Sequence, residues 1–197
     1  MSGQPERPWS GRPEPSPLTP RAAQIAAAAR ELLEEEGHEA LTMRALADRL
    51  GIRAPSLYKH FPDKAAVEAV LIERGLAEIG AILHAALEEH AGAEDGTGAI
   101  GAVLRAYRAA ALDRPNLYRL ATSGEMPRAR LAPGLEEWSG TPFFLAAGEP
   151  YLAQALWSFA HGMVILELDG RFPEGSDLER TWAEGARAFA ARRAREV

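Results

Sequence analysis

From Arg21 onward the apolar residues recur every three or four positions, and runs of alternating β-branched residues are absent. That periodicity restricts the chain to an all-α fold. Ile25, Ala28, Ala29, Leu32 and Leu33 form one stripe, opposed by Arg30, Glu31, Glu34 and Glu35, and Gly37 stops the helix with a left-handed cap. Thr42 is placed to cap a second helix that turns Leu46, Ala47 and Leu50 inward and ends at Gly51. A third, short helix starts at Ala54-Pro55 and halts before Pro62. Asp63 caps a long fourth one, with Val67, Val70, Leu71, Ile79, Ile82, Leu83, Ala86 and Leu87 on its apolar side. The stretch AGAEDGTG at 91–98 reads as a break, followed by helices over 98–112 and 114–122. The Gly- and Pro-rich stretch 124–148 shows no clear pattern beyond one or two short helices. Helices over 150–169 and 176–195 close the chain, the first apolar nearly all round and therefore expected to be buried on several sides.

Charge is unevenly spread. The formal net charge of the 197 residues is −6, which argues against a nonspecific polyanion binder. Yet residues 42–64 carry Arg44, Arg49, Arg53, Lys59 and Lys64 against Asp48 and Asp63, a local excess of +3, so the rest carries −9. Lys59 and Lys64 are the only two lysines. Residues 1–20 hold six of the fourteen prolines and few large apolar groups, so 1–19 is expected to be a flexible arm. The chain has no cysteine, which removes disulfides and thiolate metal sites. The N-terminus lacks the apolar core of a signal peptide, and the longest apolar stretch, 159–168, is too short for a bilayer. A cytoplasmic protein without membrane contact is expected.

Two short helices joined by a glycine turn match a helix-turn-helix, whose second helix enters the DNA major groove. Ala47 is small where the helices would touch, Ile52 plugs the turn, and Leu57 with Phe61 anchors the second helix. Arg53, Ala54, Ser56, Tyr58 and Lys59 are left facing outward or sideways.

The string LTMRALADRLGIRAPSLYKHFPDKAAV closely resembles the DNA-binding region of the TetR/AcrR family of one-component transcriptional regulators, over about residues 20–70. The skeleton G-I-x-x-x-x-L-Y-x-H-F-x-x-K carries the likeness. The resemblance implies DNA contacts by Thr42 and Arg44 on the second helix. It implies base edges for Arg53, Ala54, Pro55 and Ser56, with Lys59 beside the groove. Phosphate contacts fall to Tyr58, His60 and Lys64. Tyr58 serves equally well as a packing residue. Arg53 stands where many relatives have a capping Ser or Thr, and an arginine can instead pair with guanine O6 and N7.

ALWSFAHGMVILELDGRF at 155–172 resembles a C-terminal domain class of the same family, with Trp157, His161 and Gly162 matching its Trp, His and Gly. The resemblance implies a small-molecule effector pocket in each subunit and a homodimer made by the last two helices. Tyr107, Tyr118, Met126, Phe143, Phe144 and Trp157 are candidate pocket residues, with His161 as a polar handle. Leu156, Phe159, Met163, Leu178, Trp182 and Phe189 are candidate interface residues. All of these aromatic and aliphatic groups are also what an ordinary core uses.

The expected organisation is therefore an arm at 1–19, a helix-turn-helix domain at 20–66 and a helical effector-binding and dimerisation domain at 67–197. Its expected partners are a pseudo-palindromic double-stranded operator, a second copy of itself and an unidentified effector, with the fourth helix as the lever between pocket and DNA. The protein is expected to repress until the effector releases it. GTGAIG at 96–101 satisfies G-x-G-x-x-G, but no strand precedes it and no acid follows about 20 residues on. No H-x-x-x-H, nucleophile elbow or Walker sequence occurs, so no metal, cofactor or catalytic residue is assigned. A helical enzyme, or a binding module with an incidental helical hairpin, is the rival reading. Arginine outnumbers lysine and alanine is abundant, as in proteins of GC-rich bacteria.

Overall fold

The computed structural model describes residues 11–90 and 97–194. The expected arm over residues 1–10 and most of the break at 91–98 lie outside them. Among the described residues the regular structure is entirely helical, and no helix is long and apolar enough to cross a membrane.

Three helices build the N-terminal head: α1 (Pro20–Glu36), α2 (Met43–Arg49) and α3 (Ala54–Tyr58). Each start has a local cause. Thr19 accepts the Ala22 N–H, Thr42 accepts the Ala45 N–H at 3.1 Å, and Pro55 occupies the first turn of α3. Gly37 has φ 83° and ψ 175°, so it ends α1 in the extended left-hand region rather than the αL expected of it. Ile25, Leu33, Leu46 and Leu57 are fully buried in the head's core. Each such side chain stabilises the fold by roughly 1.5–3 kcal/mol.

The spine is α4 (Lys64–His90), begun by Asp63, whose carboxylate accepts the Ala66 N–H. Its first turns complete the head: Val67 and Leu71 belong to the same core as Leu57 and Phe61. The boundary expected at 66/67 thus falls inside one packed cluster. Further along, α4 packs on α5 (Gly98–Asp113), α6 (Pro115–Thr122) and α7 (Leu135–Ala147). Next come α8 (Pro150–Leu168) and α9 (Leu178–Ala194), which close a second core around Leu104, Ala146, Leu156 and Val164.

The stretch without a readable pattern holds α7, thirteen residues long with Pro142 inside it. Proline has no N–H for the carbonyl four residues back, here that of Trp138. His84 of α4 supplies the missing donor: its Nε2 lies 3.2 Å from the Trp138 oxygen, and its ring stacks on the indole at 4.7 Å. A group on another helix thus satisfies the break that the proline makes.

Residues 11–19 are not a free arm, contrary to expectation. Ser16 donates its N–H (3.1 Å) and its hydroxyl (2.8 Å) to Glu73, a carboxylate only 1% exposed, which also accepts the Ala132 N–H at 2.7 Å. Arg12 lies over the Trp138 ring. The segment is strapped along α4 because a buried carboxylate needs donors that neighbouring helices do not supply.

Candidate functional site

Two sites stand out, one at the start of α4 and one along its middle. At the head, Gly51 takes φ 63°, the conformation that turns α2 into α3 and that side chains with a Cβ resist. Leu57 is 0% and Phe61 4% exposed, so α3 is bolted down through its inner face. Its outer face is Arg53, Pro55, Ser56, Lys59 and His60, all exposed, with Tyr58 half exposed and Ala54 partly covered. Arg53 makes no side-chain cap, which leaves its guanidinium outside the helix. Thr42, the cap of the neighbouring α2, and Arg44 within it are exposed. The Thr42 hydroxyl oxygen accepts the Ala45 N–H and keeps its own proton to donate.

The cations of this patch differ in how far they are committed. Arg49 is not available: it bonds Glu35 with two nitrogens at 2.8 and 2.9 Å and Glu31 with one at 3.3 Å. Those carboxylates raise its pKa further, the Glu35 bond most. Arg44 reaches Asp48 only at 3.9 Å and is almost wholly exposed. Lys64 donates to the His38 carbonyl at 3.2 Å and lies 3.4 Å from Glu68, which fixes the ammonium at the start of α4. The local excess of positive charge therefore resides chiefly on Arg53 and Lys59, with Arg44 beside them.

The second site is a cavity of about 540 Å³ between α4, α5, α6, α7 and α8. Tyr107, Tyr118, Met126, Phe143, Phe144 and Trp157 all line it. His161 does not. It lies behind Tyr118, whose hydroxyl is 2.7 Å from its Nδ1, and the Tyr118 hydroxyl is 2.9 Å from that of Tyr107. Burial lowers the His161 pKa, so the imidazole is held neutral. Burial raises Tyr107 and Tyr118, each held as a neutral phenol. For Tyr107 the shift is opposed in part by the Tyr118 hydroxyl and the Trp157 indole.

Of the interface candidates, Leu156 (0% exposed), Met163 (7%) and Trp182 (6%) are interior residues of a single chain. They have no surface to offer a partner. Trp182 instead donates its indole N–H to Glu167 at 3.2 Å, and Glu167 accepts two bonds from Arg108 at 2.8 and 3.0 Å. The Arg108 guanidinium is the main cause of the lowered Glu167 pKa. Phe159, Leu178 and Phe189 are half-buried.

The head and cavity are joined by contacts between residues far apart in sequence. Leu117 of α6 lines the cavity and packs in the core of the head. Glu34 of α1 accepts the N–H groups of Asn116 and Leu117 at 3.2 and 2.7 Å, capping α6 from the head. Arg130, in the 3-10 turn Arg128–Arg130 next to the cavity wall, lies 3.2 Å from Asp63, the residue that starts α4.

This arrangement defines a class: a helix-turn-helix head with an outward cationic α3, coupled to a helical domain built around a mostly apolar cavity. Residues 25–71 match the family model of the bacterial regulatory proteins of the tetR family, and residues 100–189 match that of the tetracyclin repressor-like C-terminal domain. The chain belongs to the TetR family and is a DNA-binding transcriptional regulator. It is 29% identical over 191 residues to an uncharacterized HTH-type transcriptional regulator of Mycobacterium tuberculosis, covering 86% of this chain and 84% of that one. The tetracycline repressor class A of transposon 1721 from Escherichia coli is 51% identical over 51 residues, 26% of this chain and 24% of its own length. A solved protein of unknown function from Rhodococcus sp. RHA1 shares the fold, with a TM-score of 0.72 and 21% identity over 95% of this chain and 98% of its own.

Proposed function

We propose that the protein is a homodimeric repressor whose two heads read a pseudo-palindromic operator and whose cavity takes the small molecule that releases it. Such a regulator acts on the chromosome, and so in the cytoplasm. The observation that carries the reading is the double role of Leu117, one side chain in both the cavity wall and the head's core. A molecule that displaces α6 from within the cavity shifts Leu117 and the Glu34 cap together, and so tilts the head against its partner. Two heads bound in successive major grooves lie roughly 34–36 Å apart, and a change in that spacing weakens binding. By linkage, DNA weakens effector binding by the same factor.

On each head, Arg53 with Ala54, Pro55 and Ser56 faces base edges, while Tyr58, Lys59, His60 and Lys64 run along phosphates, with Thr42 and Arg44 on the flanking strand. The dimer surface is the outer face of α8. Tyr151 is 80% and Leu166 42% exposed there, and between them lie Ala155, Ser158 and Gly162. A Cβ placed on Gly162 would meet nothing within its own chain. Small residues on a helix face let a second backbone approach closely. Leu178 and Phe189 on α9 extend the surface.

A mobility-shift titration of the protein on the DNA upstream of its own gene, beside a shuffled duplex of equal length, tests the reading. Retardation of the upstream fragment alone, at a stoichiometry of two chains per site, is expected. Equal affinity for both duplexes, or a monomer at micromolar concentration, overturns it.

A further inference from the structure

We infer that the cavity takes an uncharged, largely aromatic molecule presenting one hydroxyl or carbonyl to the Tyr107–Tyr118 pair, and that it rejects acids. This inference rests on the reading of the cavity as the effector site.

The charge in the wall argues for it first. Glu78, Asp113, Glu125 and Glu136 line the cavity, against two cations, Arg114 and Arg128. Both cations are already engaged. Arg128 bonds both oxygens of Glu136 at 2.7 Å, and Arg114 lies 3.3 Å from Asp113. Glu78 is matched from outside the wall by Arg30, with two bonds of 2.5 Å. Glu125 stands at the exposed end of the wall. An ion of either sign that passes the exposed end of the cavity therefore finds no uncommitted partner in the wall, and an unpaired charge is costly away from water. An uncharged molecule disturbs none of these pairs.

The deep polar groups give the second argument. Three atoms are linked in sequence: the Tyr107 hydroxyl, the Tyr118 hydroxyl and the His161 Nδ1, at 2.9 and 2.7 Å. The two links between them need two protons. If Nδ1 accepts, the two phenolic protons fill both links, and the Tyr107 oxygen, which also meets the Trp157 indole, keeps a lone pair for a ligand hydroxyl. If Nδ1 carries the imidazole proton, the chain reverses and Tyr107 donates into the cavity, toward a carbonyl. Exchange between the two needs only the other neutral tautomer, with no change in net charge. Phe143, whose ring stands edge-on to Tyr107 at 5.3 Å, and Trp157 both line the cavity and supply aromatic faces to it.

The test uses the full-length protein at pH 7.5 and Nile red, an uncharged fluorophore, as the reporter. It is displaced by four molecules of one ring system: 2-naphthol, 2-methylnaphthalene, 2-naphthoate and 2-naphthylmethylammonium. 2-Naphthol is expected to compete at about tenfold lower concentration than the naphthoate, the size of one unreplaced polar contact. It is also expected to outcompete 2-methylnaphthalene, an advantage that Tyr107→Phe removes without affecting 2-methylnaphthalene itself. Naphthoate or the ammonium competing as well as the naphthol overturns the ligand class and leaves the effector reading standing, as does a naphthol advantage that survives in Tyr107→Phe. Failure to take up Nile red, with none of the four altering the DNA shift, overturns the effector reading itself.

Discussion

The Glu34 carboxylate accepts the backbone N–H of Leu117 at 2.7 Å, so the first turn of α6 is capped by a residue of α1 rather than by its own sequence. Arg114, at the capping position itself, makes no side-chain bond to the helix. The first N–H groups of a helix have no partner within it, and a carboxylate there also meets the positive end of the helix dipole. Glu34→Ala leaves two donors bare. A loss of about 1–2 kcal/mol in urea denaturation is expected, with Glu34→Gln retaining part of the stability because its amide oxygen still accepts. Equal stability of wild type and Glu34→Ala removes the cap from the account.

His84 offers a cleaner separation of two contributions. Its ring stacks on Trp138, and its Nε2 is the donor that reaches the carbonyl freed by Pro142. Phenylalanine at 84 keeps the stack and loses the donor. His84→Phe is expected to destabilise by about 1–2 kcal/mol, the cost of an unmet carbonyl. Adding Pro142→Ala, which supplies an N–H four residues on, restores most of that loss. The double mutant falling as far as the sum of the singles would disprove the compensation.

Much of the head was legible because its signals are local. The Thr42 cap, the glycine turn and the Leu57–Phe61 pair at i and i+4 each depend on neighbours within a few residues. The rest depends on partners far along the chain. Nothing near Glu34 announces that it caps a helix more than 80 residues away, and Pro142 reads as a helix breaker until His84 is seen. In α8 the apolar residues run all round, so the pattern has no phase, and it could not separate interior Leu156 from half-buried Phe159. The proline-rich composition of residues 11–19 likewise says nothing of Glu73, the buried carboxylate that holds them.

On DNA, Arg53 and Lys59 are expected to fail differently. Arg53→Ala should relax preference at one base pair by about 1–3 kcal/mol if the guanidinium pairs with a guanine edge. Lys59→Ala should weaken specific and shuffled duplexes alike and reduce the slope of log affinity against log salt by about 0.9 for each phosphate the ammonium neutralises. Fluorescence anisotropy on a set of single-base operator variants at several salt concentrations measures both. A Lys59→Ala protein that loses discrimination but keeps the wild-type salt slope exchanges the two roles.

The pH dependence follows from His161. Burial lowers its pKa in the folded chain below the ordinary histidine value of 6.5. Well above that value the imidazole is neutral in both states, and this group favours neither. As pH falls below it, the unfolded chain binds the proton first, so stability drops until the folded-state pKa is reached. Glu167, lowered chiefly by the Arg108 guanidinium, has the same sign in a separate window below the ordinary carboxylate value of 4.5. Denaturation midpoints between pH 8 and pH 5 are therefore expected to fall with acid in the wild type and to fall less in His161→Gln. That variant keeps a polar group near Tyr118 and cannot titrate. The difference between the two proteins isolates His161 from the other histidines. A difference that is flat across the range, or that grows toward alkaline pH, contradicts a neutral His161 behind Tyr118.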